Sequence, residues 1–295
     1  MKLNDENLQE LCQLACDAAC AAGELIARYS NRAVVVNTKV GGDHLASRIV
    51  TEVDCKSESL IVAKLQGSIA RYDLALLTEE QEDDRQRLTK DYFWCIDPLD
   101  GTLAFTESQA GYAVSIALVS REGVPVIGVI YDPVTAMLYS AVRGRGAFRG
   151  GESWCLPAQQ NESMLTMPCD RSLVEHRDYQ STIELTKAWA ISQGLLGLET
   201  IHSAGAVMNA CWVLEKTPGV YYKRPKKAKG GGSLWDFAAT ACLFTELGGI
   251  VSDFYGQPLA LNSSDSTFMN QRGVIFASNA CLADFIQSNL LQIQK

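Results

Sequence analysis

The chain has 295 residues, a formal net charge of −8, and 47% hydrophobic against 20% charged residues. That length holds enough apolar material for one large domain or two of ordinary size; no apolar run approaches the roughly 20 residues of a membrane span, and the acidic balance argues against a nucleic-acid polymer as main partner while admitting a small anion. The polar start MKLNDENLQELCQ is unlike a secretory signal, so the ten cysteines read as reduced thiols of a cytoplasmic protein, most of them small core residues.

Apolar residues at helical spacing predict an amphipathic helix over about 6–29. Leu8, Leu11, Ala15, Ala19, Ala22 and Ile26 form its apolar face, and Cys12, Cys16 and Cys20 lie along it as packing residues; the chain has no C-x-x-C pair of the kind zinc uses. An extended VVV segment, a Gly-Gly turn at 41–42 and a second helix over about 54–66 follow. LALL (74–77) reads as a short buried strand, QEDDRQRLTKD as a charged loop and YFWCI as the next strand. AVSIALVS, VPVIGVIY and AMLYSAV then form a meander with turns at REG and DPVT. Beyond about residue 152, helices near 182–193, 205–215, 236–247 and 279–293 alternate with strands near 219–222, 250–254 and 274–277. The expected fold class is therefore α/β: an N-terminal α+β domain (1–152), with helices on a largely antiparallel sheet, and a C-terminal α/β domain (153–295), packed closely enough to share a cleft.

FWCIDPLDGT, at 93–102, sets two aspartates on one corner. Asp-Pro after a strand predicts a type I turn with Asp97 first and Asp100 fourth. Two carboxylates about 4 Å apart at an effective dielectric near 20 repel by roughly 4 kcal/mol, so a shared proton or a cation must offset them. Hard oxygen ligands at a strand end suit Mg²⁺, and Gly101 and Thr102 offer backbone N–H groups to an anion; an ordinary Asp-Pro turn with solvated carboxylates is the other reading. Glu79 and Glu80 follow the LALL strand, where a neighbouring strand end brings one of them to the same corner or leaves both as loop acids. Asp236 opens a helix that closes at Gly248-Gly249, and Thr51 and Asp54 have capping-box spacing, so both aspartates have a capping role whatever else they do.

TEVD, TEE, DPLDGT and WD, in that order and each beside the expected strand or helix, resemble the inositol monophosphatase superfamily of Mg²⁺-dependent, lithium-sensitive phosphatases. GYAVSIAL, GVIYDPVTAMLYSAVRGRGAF and HSAGAVMNACWVLE extend the resemblance to its meander and its substrate-side helix. The resemblance implies a layered αβαβα sandwich and two or three Mg²⁺ ions. Glu79, Asp97 and the Leu99 carbonyl would hold one ion; Asp97, Asp100 and Asp236 a second; and Glu79 helps with a third. Glu80, Asp54 and Thr102 would stand near the attacking water, Gly101 and Thr102 would receive the phosphate, and Gly205 and Ala206 would lie beside the substrate, a small phosphorylated metabolite. Homodimers are frequent among proteins of this resemblance.

Other hydrolytic chemistries lack their residues. There is no Cys with Arg six positions on, no Asp-x-Asp pair for an aspartyl-phosphate route and no G-x-S-x-G elbow, and GRGAFRGG fails the glycine spacing of a dinucleotide fingerprint. His44, His176 and His202 are the only histidines, with no H-E-x-x-H. As for substrate, inositol-specific members carry an acidic residue shortly before W-D, whereas this chain reads YYKRPKKAKGGGSLWD. Lys223, Arg224, Lys226, Lys227 and Lys229 form either a solvated loop or a clamp for a second phosphate. The clamp fits the 3'(2'),5'-bisphosphate nucleotidase branch, which takes 3'-phosphoadenosine 5'-phosphate to AMP. Leu103 and Ala104, however, replace the Lys-Glu common there after D-G-T. Inositol 1-phosphate or another sugar phosphate is the alternative substrate, and a silent metal- and ligand-binding regulator the alternative of another class.

Overall fold

The computed structural model describes residues 2–30, 36–38, 49–157 and 163–291; the expected Gly-Gly turn and His44 lie outside them. Helix α1 (Asp5–Tyr29) starts at an Asn4 capping box, and buries Leu11, Ala15, Ala19, Ala22 and Ile26 as its periodicity requires. Strands β1 (Val36–Thr38) and β2 (Ile49–Thr51) pair antiparallel just before α2 (Glu52–Tyr72). The second helix is longer than the expected 54–66, since the Thr51–Asp54 box fixes its start and it continues past Gly67 to a left-handed Asp73.

Seven strands make the central sheet in chain order: β3 (Ala75–Thr78), β4 (Tyr92–Asp100), β5 (Ala113–Ser120), β6 (Pro125–Asp132), β7 (Met137–Val142), β8 (Ala147–Arg149) and β9 (Glu152–Trp154). Only the β3–β4 pair is parallel. Every residue of β5 is buried, because the sheet is covered on both faces. Val114, Ile116 and Leu118 point into the core under α1 and α2; Ala113, Ala117 and Val119 point into the core shared with the C-terminal half. The terminal pair β8 and β9 was not anticipated, its three-residue strands being too short for a period to show.

Chain beyond the sheet runs β10 (Leu165–Cys169), α4 (Arg171–Val174), α5 (Tyr179–Ser192), β11 (Leu198–His202), α6 (Ala206–Glu215), β12 (Val220–Lys223), α7 (Leu234–Glu246), β13 (Ile250–Ser252), β14 (Val274–Ala277) and α8 (Ala280–Leu290). α6 and α7 lie between the seven-stranded sheet and these strands, and α5 and α8 close the far side, completing an αβαβα stack. The expected strands near 219–222, 250–254 and 274–277 are β12, β13 and β14, which form one antiparallel sheet in the order β12–β14–β13. β10 and β11, absent from the sequence reading, pair in parallel, and a parallel bridge between Thr166 and Gly219 aligns β10 with the entry to β12. Carboxyl ends of β10, β11 and β12 therefore share one edge, the usual place for a ligand in an α/β sheet. No helix of the described residues is long and apolar enough to cross a membrane.

Candidate metal centre

Phe93 and Cys95 of β4 face the core shared with α7, while Trp94 and Ile96 face the α1–α2 core. Strand alternation would then send Asp97 toward α7 and Asp100 the other way. A bulge intervenes. Asp97 pairs with Ser115 and Asp100 with Ala113, so three steps on β4 answer two on β5 and alternation is reset. Leu99 consequently joins the α1–α2 core, and Asp100 returns to the face of Asp97. The corner is thus a bulged continuation of the strand rather than the expected free turn, because β5 goes on pairing with it through Ala113.

Asp236, on the first turn of α7, meets that face: one carboxylate oxygen from each of Asp97, Asp100 and Asp236 lies within 4.8 Å of the others. Asp97 and Asp100 are 1% and 5% exposed, so little water screens the three charges. Burial, then Glu79, Asp100 and Asp236, push the Asp97 carboxyl well above its ordinary range. Burial and Asp236 do the same to Asp100. Burial also raises Asp236, to about 6, with Lys223 opposing. Two buried acids and half-buried Asp236 that resist ionisation together are suited to a hard divalent cation, which would remove both the desolvation cost and the repulsion.

Glu79 reaches the corner by the register of its strand. Thr78 pairs with Ile96, and the Glu79 N–H donates to the Ile96 carbonyl at 3.2 Å, so Glu79 lies alongside the approach to Asp97. It raises the carboxyls of Asp54, Asp97, Asp100 and Asp236 alike. The Glu80 N–H donates to Glu58 at 3.0 Å, and the Gln81 amide donates to the other oxygen of Glu58 at 2.8 Å. Glu58 is a buried acid of α2 that the sequence reading passed over; its place one helical turn after Asp54 was the available signal. Ser57 was missed as well, and its hydroxyl donates to the Pro98 carbonyl at 2.7 Å, pinning the bulge to α2.

Asp54 closes the capping box: its Oδ2 accepts from the Thr51 N–H at 2.8 Å and from the Thr51 hydroxyl at 2.5 Å. Its Oδ1 lies 3.0 Å from the Thr102 hydroxyl, which is also 3.1 Å from the Leu99 carbonyl. One hydroxyl proton serves only one acceptor at a time, so donation to Asp54 leaves the Leu99 carbonyl open to a cation and the Thr102 lone pairs open to water.

Gly101 is the left-handed N-cap (φ +81°) of α3 (Thr102–Thr106), and a Cβ there would fall 2.7 Å from the Gly111 carbonyl. Gly205 caps α6, and the Asp100 carboxylate accepts from the Ala206 N–H at 3.1 Å and from the Val207 N–H at 2.9 Å. The positive end of α6 thereby orients a cluster carboxylate across the two halves. Gly205 and Ala206 meet the corner through Asp100, whereas Lys229 is exposed in the loop before α7.

Lys223, at the end of β12, lies inside the site. Its ammonium is 2.9 Å from Asp170 Oδ2, while Asp170 Oδ1 accepts from Asn209 at 3.1 Å and from Tyr221 at 3.0 Å. Burial alone would lower the Lys223 ammonium; Asp170, Asp236 and Asp100 together raise it. Asp170 escaped the sequence reading because β10, which ends beside it, did.

The model of the "Inositol monophosphatase family" matches residues 7–291. The "Nus factor SuhB" of Pseudomonas aeruginosa is 32% identical over 261 residues, covering 84% of this chain and 87% of that one. "Inositol-1-monophosphatase" of Bacillus subtilis is 26% identical over 295 residues, covering 98% and 99%. The solved structure of SaIMPase-II with bound 2'AMP superposes with a TM-score of 0.69 at 20% identity, covering 97% of this chain and 95% of that one, a likeness of fold. With Asp97, Asp100 and Asp236 gathered at one corner and the family match running over nearly the whole chain, the protein belongs to the inositol monophosphatase family of metal-dependent phosphomonoesterases.

Proposed function

We propose that the protein hydrolyses the 3'-phosphate of 3'-phosphoadenosine 5'-phosphate or a close bisphosphate relative, using two or three Mg²⁺ ions. The observation that carries this reading is Lys223, a cation held by Asp170 and raised by Asp236 and Asp100, in the stretch before W-D where inositol-specific members carry an acid. An ammonium there keeps donors beyond its Asp170 contact and favours a second anionic group over a neutral polyol, a charge-assisted contact being worth about 1.5–3 kcal/mol. The likeness of fold to SaIMPase-II, solved with 2'AMP, is compatible with a nucleotide in this fold.

The donor set fits the ions. Asp97, Asp100, Asp236, Glu79 and the Leu99 carbonyl are oxygen ligands only, and the corner's raised carboxyls mark charge awaiting a cation. Bound Mg²⁺ would supply charge neutralisation for the phosphate and a lowered pKa for water. The chain's own residues do the positioning: α6 fixes Asp100, the capping box fixes Asp54, and Ser57 holds the bulge. Thr102 can accept a hydrogen bond from the attacking water while donating to Asp54, and Glu80 stands on the loop fixed by Glu58. At the start of α3, the N–H groups of Gly101 and Thr102 receive the phosphate.

Inositol 1-phosphate remains the second reading, favoured by the activity named for the Bacillus subtilis relative. Phosphate release with Mg²⁺ from 3'-phosphoadenosine 5'-phosphate, inositol 1-phosphate and AMP separates them. At least tenfold higher kcat/KM for the bisphosphate, lost in Lys223→Met, is the expected result. Faster turnover of inositol 1-phosphate would replace the nucleotide reading.

A further inference from the structure

Beyond Asp170 and Lys223, the two neighbouring strand ends continue into two segments, 176–178 and 225–227, that face each other across an open cavity of about 660 Å³. Its walls include His176, Arg177, Asp178, Lys226, Lys227 and Tyr255. On a chain of net charge −8, this is a local concentration of cations with one acid among them. Half of Tyr255 is exposed, and the Arg272 guanidinium lies 4.6 Å from its ring centroid. Such a ring, backed by a cation, offers an aromatic ligand a stacking surface.

Behind the wall, Asp178 Oδ2 makes no hydrogen bond and lies 3.5 Å from His176 Nδ1, while Asp178 Oδ1 lies 3.6 Å from Arg177 Nε. The buried Nε and Nη1 of Arg224 likewise make none, although its Nη2 donates to Thr182 at 2.6 Å and its charge acts on Tyr222. Buried groups short of hydrogen bonds are uncommon, and here one belongs to the cavity wall and the others to Arg224, next in sequence to the wall residue Pro225, which suits a polar occupant or ordered water. Inorganic phosphate would use the lysines and leave most of the volume and the ring idle, whereas a nucleoside monophosphate uses all three features.

We propose that this groove binds a nucleoside 5'-monophosphate, with the base on Tyr255 and the phosphate toward Arg177, Lys226 and Lys227. The assignment deepens the nucleotide reading of the metal centre and rests on it, since the groove is the continuation of the strand ends that carry Asp170 and Lys223.

Calorimetric titration of AMP into the full chain in EDTA tests binding without the metal centre's help. Wild type should bind, Tyr255→Ala and Arg177→Ala should each weaken binding at least tenfold, Tyr255→Phe should restore it, and Asp236→Ala should leave it intact. Failure of wild type to bind at millimolar AMP, equal binding by the Tyr255 and Arg177 variants, or loss in Asp236→Ala alone would overturn the assignment. So would inorganic phosphate competing as well as AMP. Wild-type hydrolysis of 3'-phosphoadenosine 5'-phosphate, measured separately with Mg²⁺, tests the substrate reading: preference for the bisphosphate with no AMP bound in EDTA refutes the groove and keeps that reading.

Discussion

Asp97 and Asp100 share a face of β4 because one extra residue separates their partners, Ser115 and Ala113, from a regular register. Without the bulge, one of the two carboxylates would point into the apolar core that holds Trp94 and Ile96. A local irregularity of the sheet therefore creates the candidate divalent site, bringing two buried carboxyls together. Asp100→Asn removes one of those charges and keeps an acceptor for one of the two α6 N–H groups, a loss of one hydrogen bond that the relieved repulsion offsets. In EDTA the variant should melt no lower than wild type, Mg²⁺ should no longer raise its melting temperature appreciably, and activity should fall by at least roughly a hundredfold, at or beyond the upper end for groups that only orient a ligand. Thermal melts with and without Mg²⁺, beside a phosphate-release assay, check this; near-normal turnover at saturating Mg²⁺ contradicts it.

Stability of the metal-free protein should depend on pH with a definite sign. Asp97, Asp100 and Asp236 have folded-state pKa values above their unfolded ones, Asp236 at about 6. The folded state holds extra protons, so their contribution is full in acid and is lost as pH rises through those raised values. In EDTA the melting temperature should thus decline from about pH 4 upward through pH 6, and saturating Mg²⁺ should remove most of that decline because the ion replaces the protons. A melting temperature that rises over this window in EDTA refutes the electrostatic description of the corner.

Much of this arrangement was legible in the chain, but unevenly. The α1 stripe and the β5 run carry strong periods, and DPLDGT with WD announces its acids in order. The bulge was not legible, since two-residue alternation cannot say where it will be interrupted, and Asp-Pro reads equally well as a turn. β10 is five residues with a proline inside, too little signal to distinguish from a loop, and Asp170 went unnoticed with it. Lys223 was visible only as one of several basic residues, for no pattern in YYKRPKKAKGGG separates the cation held by Asp170 from exposed Lys229. Contacts more than a hundred residues apart, such as Asp100 with Val207, require the fold itself.

Gly205 offers a separate handle on Asp100. A Cβ at this position would fall 2.2 Å from Asp100 Oδ2 and 2.6 Å from the Gly101 nitrogen. Gly205→Ala should cost about 1–3 kcal/mol by overpacking and should weaken Mg²⁺ roughly tenfold or more by displacing a ligand it never touches chemically. Half-saturation of the Mg²⁺-dependent rise in melting temperature reports the second effect. An unchanged midpoint would show that α6 does not position Asp100.

Asp236 combines a capping contact with its proposed ligand role, and two substitutions separate them. Its carboxylate accepts the Ser233 N–H at the start of α7, a contact that asparagine reproduces through its amide oxygen. Asp236→Asn should lose less than about 1 kcal/mol of stability and Asp236→Ala about 1 kcal/mol, while both lose nearly all turnover. Chemical denaturation and rate measurements on the same preparations decide between the two roles; activity losses that merely follow the unfolded fraction would leave Asp236 a cap alone.

The central claim is that the acids of 54–102 and Asp236 form a metal-dependent phosphomonoesterase site. Initial rates of phosphate release from p-nitrophenyl phosphate, followed while Mg²⁺ is stripped with EDTA and then restored in excess, test it most directly. Release with Mg²⁺, none in EDTA and full recovery on restoring the ion are the expected results; release that persists in EDTA, or a pure folded protein with no release at any Mg²⁺ concentration from this ester, the bisphosphate or inositol 1-phosphate, would contradict the claim.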